Sequence, residues 1–214
     1  MLEFETYTLE DKDIYGGVSY DFTLCSSADF TIGNTPSAKI TFTTASPASG
    51  ECLFTRDESR QIGYFTVQNV QRNGDKYLCE AYDRMLRFEK IVDPWLSTLT
   101  YPMTMKAYLR SLCDFCNVPF KDTDFLNHDM YIEQKIEGQN ISGRQILAYI
   151  AEAAGTNAVI NAEGELELQY YTDLDKVLDW EDYATLTTAL YTTPRITKLW
   201  IGKEDGDLGI EVSD

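Results

Sequence analysis

Histidine is nearly absent from this chain: His128 is the single imidazole in 214 residues. Every Ser-His-Asp or Cys-His nucleophile mechanism would have to run through it. Its surroundings, Phe125-Leu-Asn-His-Asp-Met130, read as a polar loop, so His128 is not nominated for catalysis. One imidazole also leaves little from which to build a transition-metal site. Positive charge is scarce too. Lys and Arg number 18 against 35 Asp and Glu, a formal net charge of −17. Nucleic-acid binders use Lys and Arg to displace counterions from phosphates, so no specific nucleic-acid binding is expected. Nor does any stretch approach the ~18 to 20 apolar residues of a membrane span. The longest apolar cluster, Ala148 to Ala154, carries Glu152 and reads as a core helix. The opening Met-Leu-Glu-Phe-Glu-Thr is acidic, without the apolar segment of a signal peptide. A soluble protein made in a cytoplasm, with no membrane anchor, is the expectation. Neither G-x-G-x-x-G nor G-x-x-x-x-G-K-[ST] occurs, so nucleotide binding has no support.

The five cysteines stand at 25, 52, 79, 113 and 116. An odd, dispersed set is not a disulfide framework and fits reduced thiols. Cys113-Asp-Phe-Cys116 is a lone C-x-x-C; zinc would want a second pair or two histidines. Both thiols fall on the apolar face of an expected helix, so core burial is the reading. Among 35 carboxylates some pair will resemble a glycosidase acid and base. Such a pair needs one carboxyl in an apolar pocket, and a solvated acidic surface is the default. Glu204-Asp205-Gly206-Asp207 gathers hard oxygen ligands without the twelve-residue loop and terminal Glu of a calcium site. Ion binding at Asp205 and Asp207 is left open. No catalytic, cofactor-binding or metal-ligating residue is nominated, and no cofactor is expected.

What the chain has in quantity is aromatic residues: 14 Tyr, 10 Phe and 3 Trp. That share excludes disorder and suits strands and interfaces. Tyr20 to Leu24, Ala38 to Thr44, Gly63 to Val70 and Lys76 to Tyr82 read as strands between polar turns. Asn73-Gly74 between the last two predicts a hairpin. Strand after strand with short turns implies a small barrel or sandwich over residues 1–95. The pattern then changes near Asp93-Pro94. Met105, Tyr108, Leu109, Leu112, Cys113 and Cys116 recur at helical spacing, predicting a helix over 103–116 with Tyr101-Pro102 at its mouth. A second helix over 142–154 is signalled by a capping box of Ser142 and Gln145, and Gly155 is placed to stop it. Ala158 to Ile160 and Leu166 to Tyr170 flank Ala162-Glu163-Gly164 as another hairpin, with Leu166, Leu168 and Tyr170 on its apolar face. Ile196 to Ile201 reads as a further strand. The expected class is therefore α+β and β-rich: two small barrel-like units with two intervening amphipathic helices, divided into 1–95 and 96–214.

Leu24-Cys-Ser-Ser-Ala-Asp-Phe-Thr-Ile-Gly33 begins a series of blocks. It continues with Ile62-Gly-Tyr-Phe-Thr-Val67, Cys79-Glu-Ala-Tyr-Asp-Arg-Met85 and Tyr101-Pro-Met-Thr104. Ile141-Ser-Gly-Arg-Gln-Ile-Leu147 and Asn161-Ala-Glu-Gly-Glu-Leu166 complete it. In order and spacing these resemble the N-terminal structural region of phage and prophage tail-hub, or tail-associated, proteins, from about residue 20 to about 210. The resemblance implies two related β-barrels with helical material between, and three copies in a ring around the DNA channel at the tail end. It implies a virion structural role, with tail-tube, distal-tail and tape-measure proteins as partners, and no enzyme activity. Gly33 would serve a turn, Tyr82 and Asp83 would close the first barrel, and Ser142 would cap the second helix. Members of that family continue beyond the point matching Asp214 with another strand and usually a C-terminal region carrying fibre, peptidase or lysin functions. A carbohydrate-active or peptidoglycan-cleaving tail domain, and a type VI secretion spike-like module, are the alternatives. The first of these needs two carboxylates in a concave, aromatic-lined cleft.

Overall fold

Alternation of β-branched and aromatic residues with polar ones, broken by Gly and Asn turns, builds the first part of the chain. A computed structural model describes residues 7–10, 19–23, 33–56, 60–170, 198–201 and 210–213. Six strands form one sheet: β1 (Tyr7–Glu10), β2 (Ser19–Thr23), β3 (Ser37–Thr44), β4 (Glu51–Arg56), β5 (Arg60–Asn73) and β6 (Lys76–Asp83). Their order is β1-β4-β5-β6-β3-β2, antiparallel except for the β1–β4 pair. The expected strands are present. The barrel closure expected of them is not found among the described residues, because β1 and β2 stand as the two edges of an open sheet. One face buries Ile40, Phe42, Cys52, Phe54, Phe65, Cys79 and Ala81. The β5–β6 hairpin forms as expected, with Gly74 at φ +68° and Asn73 paired to Lys76.

From Asp83 onward the chain turns helical. A 3-10 helix spans Arg84–Glu89, followed by α1 (Asp93–Leu96), α2 (Met105–Cys116) and α3 (Gly143–Ala153). The short pair β7 (Met103–Thr104) and β8 (Tyr131–Ile132) leads into α2. The helix expected from residue 103 starts at Met105 because Thr104 caps it, its hydroxyl accepting the Ala107 N–H. Tyr101-Pro102, a cis peptide, therefore precedes β7 and lies outside the first helical turn. In α3, Ser142 caps as expected, accepting from the Gln145 amide at 3.2 Å. The Gln145 side chain does not return a bond to Ser142; its Nε2 donates to the Tyr149 hydroxyl. Gly155 ends the helix in the left-handed region at φ +65°.

The apolar faces of α2 and α3 meet the 3-10 helix and α1 in a second cluster. Met85, Phe88, Trp95, Leu96, Tyr108, Leu109, Leu112, Ile146 and Leu147 form its centre. The hairpin of β9 (Asn157–Ile160) and β10 (Leu166–Gln169) closes this cluster with Ala158, Leu166 and Leu168. Gly33, in the turn the resemblance assigned to it, donates its N–H to Thr156 O, and Asn34 O accepts from Ala158. A side chain at Gly33 would meet the Cβ of Glu152 at 3.0 Å, so the loop can lie on α3 only as glycine. Both clusters belong to one compact unit, Met1–Thr172. A second unit, Asp173–Asp214, contributes the antiparallel pair β11 (Lys198–Ile201) and β12 (Ile210–Ser213). No helix among the described residues is long and apolar enough to cross a membrane.

Candidate functional site: a buried arginine–glutamate junction

A charged group holds the first sheet to the helical layer. Glu51 opens β4 and is 3% exposed. Its carboxylate takes two bonds from Arg84, from Nε at 2.8 Å and Nη2 at 2.9 Å, and a third from Arg87 Nη2 at 2.8 Å. The fork-on-carboxylate geometry is the strong form of an ion pair. Arg84 also donates to Gly164 O at 3.0 Å and lies 4.3 Å over the Tyr64 ring. One guanidinium thus joins β4, β5, the 3-10 helix and the β9–β10 turn. Arg87 continues the chain of contacts to Asn117 O at the end of α2. Beside them a cavity of about 330 Å³ is lined by Glu51, Thr66, Gln68, Leu86, Arg87, Lys90, Cys116 and Asn117.

Asp83 is the second buried carboxylate of this layer. It accepts from Ser37 Oγ and Ala38 N, both at 2.8 Å, and from Met85 N at 3.1 Å. It therefore ties β3 to β6 and caps the 3-10 helix in one group. Burial raises its pKa above the ordinary value, and the three donors oppose that shift without cancelling it. The sign for stability follows. A carboxyl whose folded pKa is raised binds its proton more readily when folded, so its contribution falls as pH rises from the unfolded value through the folded one. Removing the Ser37 donor should raise the Asp83 pKa further. Carbon-detected NMR titration of Ser37→Ala checks this; an unchanged or lowered Asp83 midpoint would remove the account.

Arg144 of α3 makes a third tie, donating to Thr35 O and Thr35 Oγ1 and pairing with Glu89. Asp93, at the change of pattern seen in the sequence, accepts from the amides of Asn140 and Ile141. These groups hold the backbone in place.

The residues weighed from sequence stand apart from this junction. His128 is partly exposed, with Nδ1 2.8 Å from Phe125 O and Nε2 3.8 Å from Asp124. Cys113 and Cys116 are buried in the helical cluster, 1% and 5% exposed. Burial drives the Cys113 thiol strongly upward and pushes Cys116 up to about 11, the reverse of a nucleophilic thiol. The four described cysteines, 52, 79, 113 and 116, are all free and buried. They should therefore resist a thiol-specific chromogenic reagent at pH 8 in the native state and react once urea unfolds the chain. Rapid native labelling at any of the four, located by mass spectrometry, would contradict this. No group of three or more His, Cys, Asp or Glu that could hold a metal occurs among the described residues. Glu204 to Asp207 lies outside them. Sequence reasoning missed Glu51, Arg84, Arg87 and Arg144. The one local signal was the i, i+3 spacing of Arg84 and Arg87, which places both on one helical face.

The chain is similar in structure to the 43 kDa tail protein of prophage MuSo2 from Shewanella oneidensis, a crystal structure, with a TM-score of 0.59. The likeness covers 83% of this chain and 60% of that one at 13% identity, so it establishes the fold alone. This chain spans about three fifths of that protein's length. No family model matches the sequence. No curated protein matches it either.

Proposed function

We propose that this chain is a structural protein of a phage or prophage tail, forming part of the tail-tip or baseplate-hub ring around the DNA channel. The observation that carries the reading is the fold likeness to a prophage tail protein over 83% of the chain. It agrees with the resemblance of the sequence blocks. In this reading three copies close the ring, residues 1–95 and 96–214 supply the two related β units, and neighbouring tail proteins supply the partners. The work done is holding rather than reacting, and the buried charges support it: Asp83 and Arg84 bond backbone groups, and Glu51 bonds Arg84 and Arg87. The chain would reside in the virion tail.

Charge sets a condition on such a ring. Three chains at −17 bring −51 together, so subunits repel until apolar and hydrogen-bonded contacts outweigh the repulsion. Salt shortens the Debye length from ~30 Å at 0.01 M to ~8 Å at 0.15 M. Self-association should therefore strengthen across that range in sedimentation velocity. Association that weakens instead would mean that ion pairs between subunits dominate. The reading as a whole is tested by imaging tail particles carrying a tagged copy of this chain. A three-fold ring with an open centre, bearing the tag, is expected. Tails that lack the tag altogether would refute it.

A further inference from the structure

Strand β5 is much longer than the partner on one of its sides. It runs for 14 residues, Arg60–Asn73, whereas β4 has six, Glu51–Arg56. The β4 pairing ends where Glu51 faces Thr66, with one more bond from Val67 N to Gly50 O at 2.9 Å. Beyond that point Gln68 to Asn73 pair only with β6, through Asn69–Glu80 to Asn73–Lys76. Among the described residues nothing covers the other side of this stretch. All nine residues from Gln68 to Lys76 are exposed. Six residues at ~3.3 Å each give an open edge of roughly 20 Å.

Such an edge is a template for another strand, and proteins that must avoid pairing blunt it with proline, inward charges or short strands. Here there is no proline; the overhang carries a single charge, Arg72, and a register shift only at its start, between Val67 and Asn69. Val70, 36% exposed, lies within the overhang, where an added strand would pair beside it. The charge pattern says what the added strand is. The chain carries 35 carboxylates, yet from Gln61 to Cys79 the only one is Asp75, flanked by Arg72 and Lys76. Two chains that repel at −17 each can approach at an edge where the carboxylates are missing. The same edge is weakly positive, and it faces a partner that is strongly negative.

We propose that the Gln68–Asn73 edge of β5 receives an edge strand of a second copy of this chain, so that the sheet continues from one subunit into the next. This rests on the reading of the chain as a self-assembling ring component and names the seam through which it assembles. Backbone hydrogen bonds give such a seam its strength, and the missing carboxylates give it its position.

The test uses the full chain at rising concentration in 0.15 M salt. Sedimentation and hydrogen exchange are read together. Association is expected to slow amide exchange within Gln68–Asn73. The double variant Gln71→Glu, Asn73→Glu places two carboxylates on the exposed arm, opposite Leu78 and Lys76. It should raise the concentration for association at least about tenfold, since like charges brought together at an interface cost more than the 1.4 kcal/mol of one decade. Its melting temperature should stay at the wild-type value. The variant Gln71→Asn, Asn73→Gln should associate like wild type. Association without protection of Gln68–Asn73, or equal association of the acidic variant, overturns the seam while leaving the ring intact. A wild-type chain that stays monomeric throughout overturns the seam as well, and tagged tail particles then decide separately whether the structural role stands.

Discussion

Glu51→Ala should lower the free energy of unfolding by about 3–5 kcal/mol, the cost of removing one partner from a buried ion pair. The magnitude comes from what is left behind more than from what is lost. Arg84 and Arg87 both point at the Glu51 carboxylate, and Glu51 is 3% exposed. Without it two guanidiniums remain close together in a partly dry layer, each repelling the other. Burial already lowers the Arg87 pKa, and the Glu51 charge is the influence that opposes this. Taking both sides away differs in kind. A Glu51→Leu, Arg84→Met pair removes two of the three charges, keeps the volume and leaves Arg87 its bond to Asn117 O, so the double variant should recover part of the loss. Equilibrium urea unfolding checks both, read as a shift in midpoint with the slope held constant. A single variant that loses less than about 1 kcal/mol would show the junction to be solvated like a surface pair, whose worth is of that size.

The parts of this fold that were legible in the sequence share a cause. Each depends on residues close together in the chain. The helix over 105–116 is set by a six-residue apolar stripe and a threonine cap, and α3 by Ser142 and Gly155. The two hairpins are set by Gly74 and Gly164 between alternating strands. What was not legible depends on distant partners. Strand β4 begins with Glu51 and ends at Arg56, short and charged at both ends, and it holds its place by pairing with β5. The run of strands was read as a small barrel or sandwich, but that is decided by which strands form the edges, and nothing local marks β1 and β2 as the edges they are among the described residues. The junction has the same character. Glu51 and Arg84 stand 33 positions apart, and Arg84 and Gly164 80 apart. Before folding, each is an ordinary charged residue or turn glycine among many. The thiols were read correctly as core because their spacing matched the helix that buries them.

Gly164→Val should destabilise the protein by roughly 2–5 kcal/mol, adding left-handed backbone strain to steric overlap. The turn between β9 and β10 places Gly164 at φ +77°, where a β-branched residue is strained in any surroundings. The surroundings here are also full. A Cβ at this position would lie 2.6 Å from Arg84 Nη1 and 2.7 Å from Tyr64 Cδ2. Arg84 cannot simply move aside, because its other two donors hold the Glu51 carboxylate and its plane lies over Tyr64. The added side chain must therefore lift the hairpin from the sheet or pull the guanidinium off its partner. Gly155 supplies the comparison. It has a similar φ of +65°, but nothing lies within 4 Å of where its Cβ would be. Gly155→Ala should cost only the backbone part, about 1 kcal/mol. Urea unfolding of Gly164→Ala and Gly155→Ala side by side separates the two contributions, since the backbone strain is shared and the overlap is not. Equal losses at the two sites would mean that the hairpin turn does not bear on Arg84, and the arginine would then join three elements rather than four.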